Sequence, residues 1–527
     1  MSVKIVDSSG TSAAPRQRNK NLKALDEEEG GMDQKDVNRL SPMPRSAGVE
    51  SSQSRRARLY NGIQEITVSL DQGFQENKEE LVKFWDQFTR KGKPKVGVLQ
   101  SLKALFWSSW LNIFLLVIPV AWVSHFKEGW SDKLTFVLCF FAIVPLERLF
   151  DYGGEQMSFY LGKELGDLVV VTLNNAVEAT LAIILLLKCE LILLKSTIVG
   201  VVILHLLLVP GTAFVIGGAR VIQQDLHPHL TQLNHSLLTL GVLTLLIPAA
   251  FFAAIDTQFT LSPGEEPTSI VTDPIRGNFL RMSRGLAIVL LIVYIGSRIY
   301  LHNPPGEENA LSLANAPLAP EAFKEHVQKF KDEDPEVNQY VCIAMLCICI
   351  ALMAATAEFL VESIEFVREE AGIQIEWFGL ILLPFVSFAA DGVVAVVYFV
   401  RYMFRHFFRE PTPPTTLAKG EAIDLSIQFT LFWMPLLVLI GWWKNRPLNL
   451  LFETFEVAIL IGACFLVNYV TADSKTNWAE GMTMVAFYVM IAICSWFYTG
   501  EEEVRLLSYC GLVSDTIAQA LNHTLPE

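Results

Sequence analysis

The chain has 527 residues, of which 52% are apolar and only 18% charged, with a mean hydropathy of +0.37. Soluble globular proteins carry about 25% charged residues. With a formal net charge of −14, the composition excludes a secreted disulfide scaffold, most soluble enzymes and a nucleic-acid binder, because a phosphate backbone attracts basic surfaces. The chain reads as an all-α polytopic membrane protein whose main environment is the lipid bilayer.

Residues 1–104 are rich in Ser, Arg, Lys, Glu and Asp, and no apolar leader follows Met1. They are expected to form a disordered, polar, cytosolic tail, with a solvated acidic stretch at Leu25–Asp33. The segment Glu80–Phe88 is amphipathic and reads either as a helix on the membrane surface or as a short soluble helix.

Eleven apolar runs then follow, at 105–124, 134–150, 165–187, 196–218, 235–255, 280–301, 339–363, 376–400, 424–443, 451–471 and 481–499. Each has the length and composition of a bilayer-crossing helix. Between the sixth and seventh lies a hydrophilic linker, 303–338, holding Pro304, Pro305, Pro317, Pro320 and an acidic run from Lys329 to Glu336. That run reads as solvated, with cation gathering or regulation as the sharper alternative. The domains are therefore the tail 1–104, a first helix and first repeat at 105–302, the linker 303–338, a second repeat at 339–499 and a short tail at 500–527. Of the eight cysteines, Cys342, Cys347 and Cys349 crowd one apolar stretch without zinc-type partners and read as helix-packing thiols.

Charge bias sets the orientation. The first segment carries 18 Lys/Arg, and Arg401, Arg405, Arg409 and Lys419 lie between runs eight and nine. Both regions are expected in the cytosol. Arg276, Arg281, Arg284, Lys444 and Arg446 fall on the other side and oppose that reading.

Setting the first run aside leaves five helices before the linker and five after it. An odd number of crossings reverses the side of entry, so the halves are expected to be inverted repeats, with a shared site where they meet near the midplane. Each half carries one acid deep in an apolar run at a matching place: Glu178 in the third run and Asp391 in the eighth. A carboxylate at such depth costs about 2.5–3.5 kcal/mol on insertion scales. It has to face the bundle interior and find a cation, a proton or a basic partner.

These motifs resemble a known family. Glu358-Phe-Leu-Val-Glu-Ser-Ile, followed by Gly379-Leu-Ile-Leu-Leu-Pro, closely resembles the second repeat of the cation–proton exchangers (the CAX family of calcium/cation antiporters), and Asn175-Ala-Val-Glu178 resembles its first-repeat motif. The likeness runs from about residue 105 to 499. There are departures: Asn174 stands where the family has Gly, and Phe388, Asp391 and Gly392 stand for Asn, Glu and His. Val201 and His205 replace a Ser and an Asn, and Asp424 replaces a Gly, while Gln428 is kept. These changes bear on which cation is carried more than on the fold.

The resemblance implies a transporter, not an enzyme, and no HExxH site or nucleophile elbow is present. Its substrates would be a metal cation and protons, with no cofactor. Calcium takes six to eight oxygen ligands; Glu178 and Asp391 would supply charge, and Asn175 and Gln428 neutral oxygens. The same acids hold protons when no cation is bound, because desolvation favours the neutral form. The resemblance thus implies a site that would move Ca²⁺, or a related cation, from the cytosol into an acidic, vacuole-like organelle in exchange for H⁺ by alternating access. Glu358 and Glu362, one turn apart, are candidates for a proton path or cation entrance, or for a structural polar contact. His205 reads as a proton relay or a packing histidine. Asp424 either replaces charge lost with the shortened Asp391 or sits at the membrane surface. Two alternatives remain: a monovalent Na⁺ or K⁺/H⁺ exchanger, and a transport-inactive scaffold in which Phe388 fills the cation cavity.

Overall fold

The computed structural model describes residues 78, 82, 84–91, 96–127, 129–218, 223–259, 271–302, 334–386, 388, 392 and 418–513. Most of the tail, most of the linker, Asp391 and residues 514–527 lie outside them. The chain divides into two units, Met1–Glu79 and Glu80–Glu527, and the second contains the helical bundle.

Helices follow in chain order: α1 (Val98–Trp107), α2 (Val117–Phe126, entered through a 3₁₀ turn at Trp110–Leu116), α3 (Asp132–Leu161), α4 (Lys163–Asn174), α5 (Ala176–Lys188), α6 (Leu191–Gly218), α7 (Pro228–Phe259), α8 (Asp273–His302), α9 (Gln339–Ala371), α10 (Ile375–Val386), α11 (418–443), α12 (Thr454–Val470), α13 (Trp478–Trp496) and α14 (Glu502–Leu506). Among the described residues, six helices are long and apolar enough to cross a membrane, or eight when two bent pairs each count as one; α10 and α12 are shorter apolar helices.

Two of the expected spans are not straight. The run 105–124 breaks at Ser108–Ser109, with a 95° bend between Val98–Trp107 and Trp110–Phe126. The Ser109 hydroxyl accepts from Leu111 N, which caps the new turn and stops α1 from continuing. The run 165–187 is two helices, α4 and α5, bent by 55° at Asn175. Other ends follow local chemistry. Asn477 and Glu480 form a reciprocal capping box at the start of α13. Cys189, at φ 69°, ends α5 in the left-handed region and turns the chain back into α6.

The two halves repeat at the level of irregularity. α6 carries a π-turn at Leu204–Leu208, and α11, its counterpart, carries one at Phe429–Trp433. α10, the counterpart of α4–α5, has a π-turn at Phe378–Leu382. Such turns loosen a helix and gather at functional sites.

Two ends of the bundle are defined by contacts between connectors. At one end, β1 (Gln224–Asp225) after α6 pairs antiparallel with β2 (Lys475–Thr476) after α12, and the Tyr160 hydroxyl donates to Val337 O. Phe88, of the amphipathic segment, sets its ring edge-on against Tyr160 and Tyr340 there. At the other end, the α5–α6 turn is joined to the segment after α13 by a Cys189–Cys510 disulfide, with 6.3 Å between Cα atoms. The sequence reading did not find that pair. Cys342 and Cys349 are buried thiols, as packing residues should be, whereas Cys347 is exposed.

Between the ends, glycines let backbones touch. A Cβ on Gly200 of α6 would run into the Leu380 carbonyl of α10, and one on Gly379 would lie 2.8 Å from Ser196 Cβ. Close helix approach through small residues is how packing is gained where lipid supplies no hydrophobic drive between helices.

Candidate functional site

The break at Asn175 makes the site. α4 ends there and α5 begins at Ala176, so the last turn of one helix and the first turn of the next, where backbone groups lose intrahelical partners, meet at one residue. Glu178 sits in the first turn of α5 and is 3% exposed. The negative end of the α4 dipole favours a cation in the gap.

The second half reaches this gap through α11. Asn175 Nδ2 donates to Gln428 Oε1 at 2.7 Å, and Gln428 Nε2 donates to Thr172 Oγ1 at 2.9 Å. Asn175 and Gln428 are both fully buried. Asn175 Oδ1 is left without a hydrogen-bond donor, an orphaned acceptor beside a buried carboxylate. An oxygen of that kind is costly unless something positive meets it. α6 contributes His205 from its π-turn, with Nε2 3.8 Å from Glu178 Oε1. The Ser426 hydroxyl, two residues before Gln428, donates to Val202 O at 3.3 Å and fastens α11 to α6.

Of the residues singled out in the sequence, Glu178, Asn175, Gln428 and His205 are therefore brought to one place. Asp391 lies outside the described residues. Its neighbour Phe388 is buried at 9% and packs against Phe385, with ring centroids 5.9 Å apart. Gly392 is close to the same ring, which a Cβ there would meet at 2.9 Å.

The other candidates are held by basic partners of their own. Glu362 is bound by Lys188 Nζ and by His125 Nε2, the latter at 3.2 Å, and Glu358 is 3.8 Å from the same lysine. Lys188 is at the far end of α5 from Glu178, ten residues or about 15 Å along the helix. Asp424 is gripped by both Arg298 guanidinium amines, at 2.6 and 3.0 Å, in a largely buried pair. Its charge is thus already answered. Arg298 also stacks over Tyr294, 4.8 Å from the ring centroid. The sequence reading passed over Arg298 and Thr172. An arginine set apart from Arg281 and Arg284, beyond the most apolar stretch of the run 280–301, was the available signal for the first, and a hydroxyl three residues before Asn175 for the second.

A broken helix that offers a buried acid beside its own amide and one from the matching half defines a class of inverted-repeat membrane transporter. The sodium/calcium exchanger protein family matches residues 132–301 and 341–497, and this chain belongs to it. The likeness read from the motifs is borne out. The chain is 30% identical to a vacuolar calcium ion transporter of Cryptococcus neoformans var. grubii, over 77% of this chain and 77% of that protein. It is also 30% identical to a vacuolar calcium ion transporter of Schizosaccharomyces pombe, over 76% and 88%. Among solved structures, that of native YfkE shares the fold, with a TM-score of 0.54 at 20% identity, over 74% of this chain and all of that one.

Proposed function

We propose that this chain is a proton-coupled antiporter that carries Ca²⁺, or a closely related cation, out of the cytosol into an acidic organelle, in the manner of the vacuolar calcium transporters it resembles. The observation that carries the reading is the hydrogen bond between Asn175 and Gln428 beside buried Glu178. It brings neutral oxygens from both halves to one carboxylate, as a hard oxygen-loving cation requires. Asp391 completes the charge on this proposal. A site with two buried carboxylates is too costly to leave doubly ionised and empty, so it crosses either with a cation or with protons. Exchange follows from that competition, and His205 stands where it can pass a proton to or from Glu178.

The orientation follows too. Disulfides persist in compartments outside the cytosol, so the Cys189–Cys510 end faces the lumen and the β1–β2 end faces the cytosol. The chain then enters α1 from the cytosol, in agreement with the basic first segment.

One observation favours the transport-inactive alternative: Phe388 puts a buried ring where the resemblance implies an amide. One experiment separates the readings. Vesicles with an acid interior are tested for protonophore-sensitive uptake of Ca²⁺, Mn²⁺, Na⁺ and K⁺, beside Glu178→Gln and Asp391→Asn. Divalent uptake lost in both variants is the expected result. Uptake of Na⁺ or K⁺ alone would replace calcium as the substrate, and no uptake of any ion by the wild type would defeat the transport reading.

A further inference from the structure

A second set of ionisable side chains is buried far from Glu178, at the end that carries the disulfide. Glu376 opens α10, Glu453 precedes α12, Glu456 lies in its first turn, and Lys195 lies near the start of α6. None of the four is more than 4% exposed. Lys195 is ten residues from His205 along α6, about 15 Å, and the Gly200–Leu380 and Gly379–Ser196 contacts fill the space between α6 and α10 on the way.

The hydrogen bonding here is lopsided. Lys195 has three N–H donors, and all go to neutral acceptors: Asn449 Oδ1 at 2.7 Å, Leu451 O at 2.8 Å and Ser508 Oγ at 2.8 Å. None reaches a carboxylate. Both oxygens of Glu376, one of Glu453 and one of Glu456 have no hydrogen-bond donor. The nearest other cation, Arg505, holds Nε 3.6 Å from Glu376 Oε1, beyond hydrogen-bond length, and that Nε is itself unsatisfied. Glu376 and Glu453 also converge: a Cβ placed on Gly500, at φ 80°, would touch Oε1 of both. Glu501 and Tyr498 face Glu453 from the same segment, and Lys195 and Ser196 face Glu456.

Three carboxylates buried this closely cannot all be charged, since like charges sharing a site drive one another to take up protons. What the orphaned oxygens lack is a donor. A proton on one carboxyl makes it a donor to its neighbour.

We propose that Glu453 and Glu456, with the Glu376 carboxylate set against them, form a second proton-binding site, distinct from the Glu178 pocket and at the end of the bundle that carries the disulfide. The site itself stands on this geometry, while its use in exchange rests on the antiporter reading above: it would hold protons on the lumenal side, ahead of their passage to the cation pocket. Lys195 spends its three donors on neutral partners and so leaves the carboxylate oxygens free to hold protons.

The test has two arms. The full-length protein in detergent is titrated while its infrared spectrum is followed. A protonated-carboxyl carbonyl band is expected to titrate in the wild type and in Glu178→Gln, and to diminish in Glu453→Gln and Glu456→Gln. The aspartate variant at either position keeps a carboxyl and is expected to retain the band, which guards against a variant that misfolds. A band unchanged in both glutamine variants overturns the site. In vesicles, the lumenal pH at half-maximal Ca²⁺/H⁺ exchange is expected to move by about one unit in Glu453→Gln, a tenfold change in proton affinity, with the cation KM on the opposite side unchanged. An unmoved lumenal pH profile, with the band lost, overturns the role in exchange. If the wild type exchanges no ion, the antiporter reading fails and the infrared arm still decides the site.

Discussion

Gln428 does more than donate one oxygen. It fills both hydrogen-bonding sides of its amide, accepting from Asn175 and donating to Thr172. Gln428→Leu takes the short partner from the buried Asn175 amide and one donor from Thr172, at a cost of about 1–3 kcal/mol. Cation uptake should show a KM raised by roughly tenfold, the equivalent of about 1.4 kcal/mol; an unchanged KM would remove Gln428 from the site. Arg298 and Asp424 pose a different problem. Removing one partner of a buried pair leaves the other charged and unanswered, whereas replacing both with apolar residues of similar size is often neutral. Arg298→Met should therefore lower stability by about 3–5 kcal/mol, and Arg298→Met with Asp424→Leu should recover most of it. Heat-unfolding curves in detergent measure both, and a single variant as stable as the wild type would show that the pair is not buried in the working protein.

At the scale of elements, small residues decide where helices touch. Gly200 lies against the α10 backbone, and Gly285 of α8 has open space around its Cβ position. Gly200→Val should prevent α6 and α10 from packing and yield little folded protein, whereas Gly285→Ala should be close to neutral or mildly stabilising, since alanine favours a helix over glycine by about 1 kcal/mol. Size-exclusion profiles of the two expressed variants test this, and a well-folded Gly200→Val would disprove the contact. The elements also show what the sequence could and could not convey. Hydropathy marked the apolar runs because every span in lipid must bury its own backbone polar groups in a helix. It could not mark the bend at Asn175 or the π-turns. Those depend on how α4 and α6 meet α11, and composition is silent on that. Glu178, Asn175, His205 and Gln428 stood out as polar residues in apolar runs. Glu376, Glu453 and Glu456 did not, because an acid at the edge of a run looks like an ordinary solvated helix end until the fold buries it.

At the scale of the whole molecule, a bond between Cys189 and Cys510 ties the first half to the segment beyond the second, across 321 residues of sequence. In the chain-entropy account, a loop of that size is worth roughly 5–6 kcal/mol, with engineered examples often delivering less. Protease cleavage within the linker 303–338 should give two fragments that run together on a gel without reductant and separate with it. The double variant Cys189→Ser/Cys510→Ser should separate in both conditions. Separation of wild-type fragments without reductant would refute the pairing.

The same covalent link has a bearing on biosynthesis. Cys189 leaves the ribosome after α5, but its partner is translated only after α13. Oxidation of this pair is thus impossible until all of the intervening helices have been made and the distant segment has been delivered to the same side of the membrane. Its appearance in a pulse–chase experiment would date the completion of insertion, and a nascent chain arrested before residue 510 would carry Cys189 as a free thiol open to alkylation.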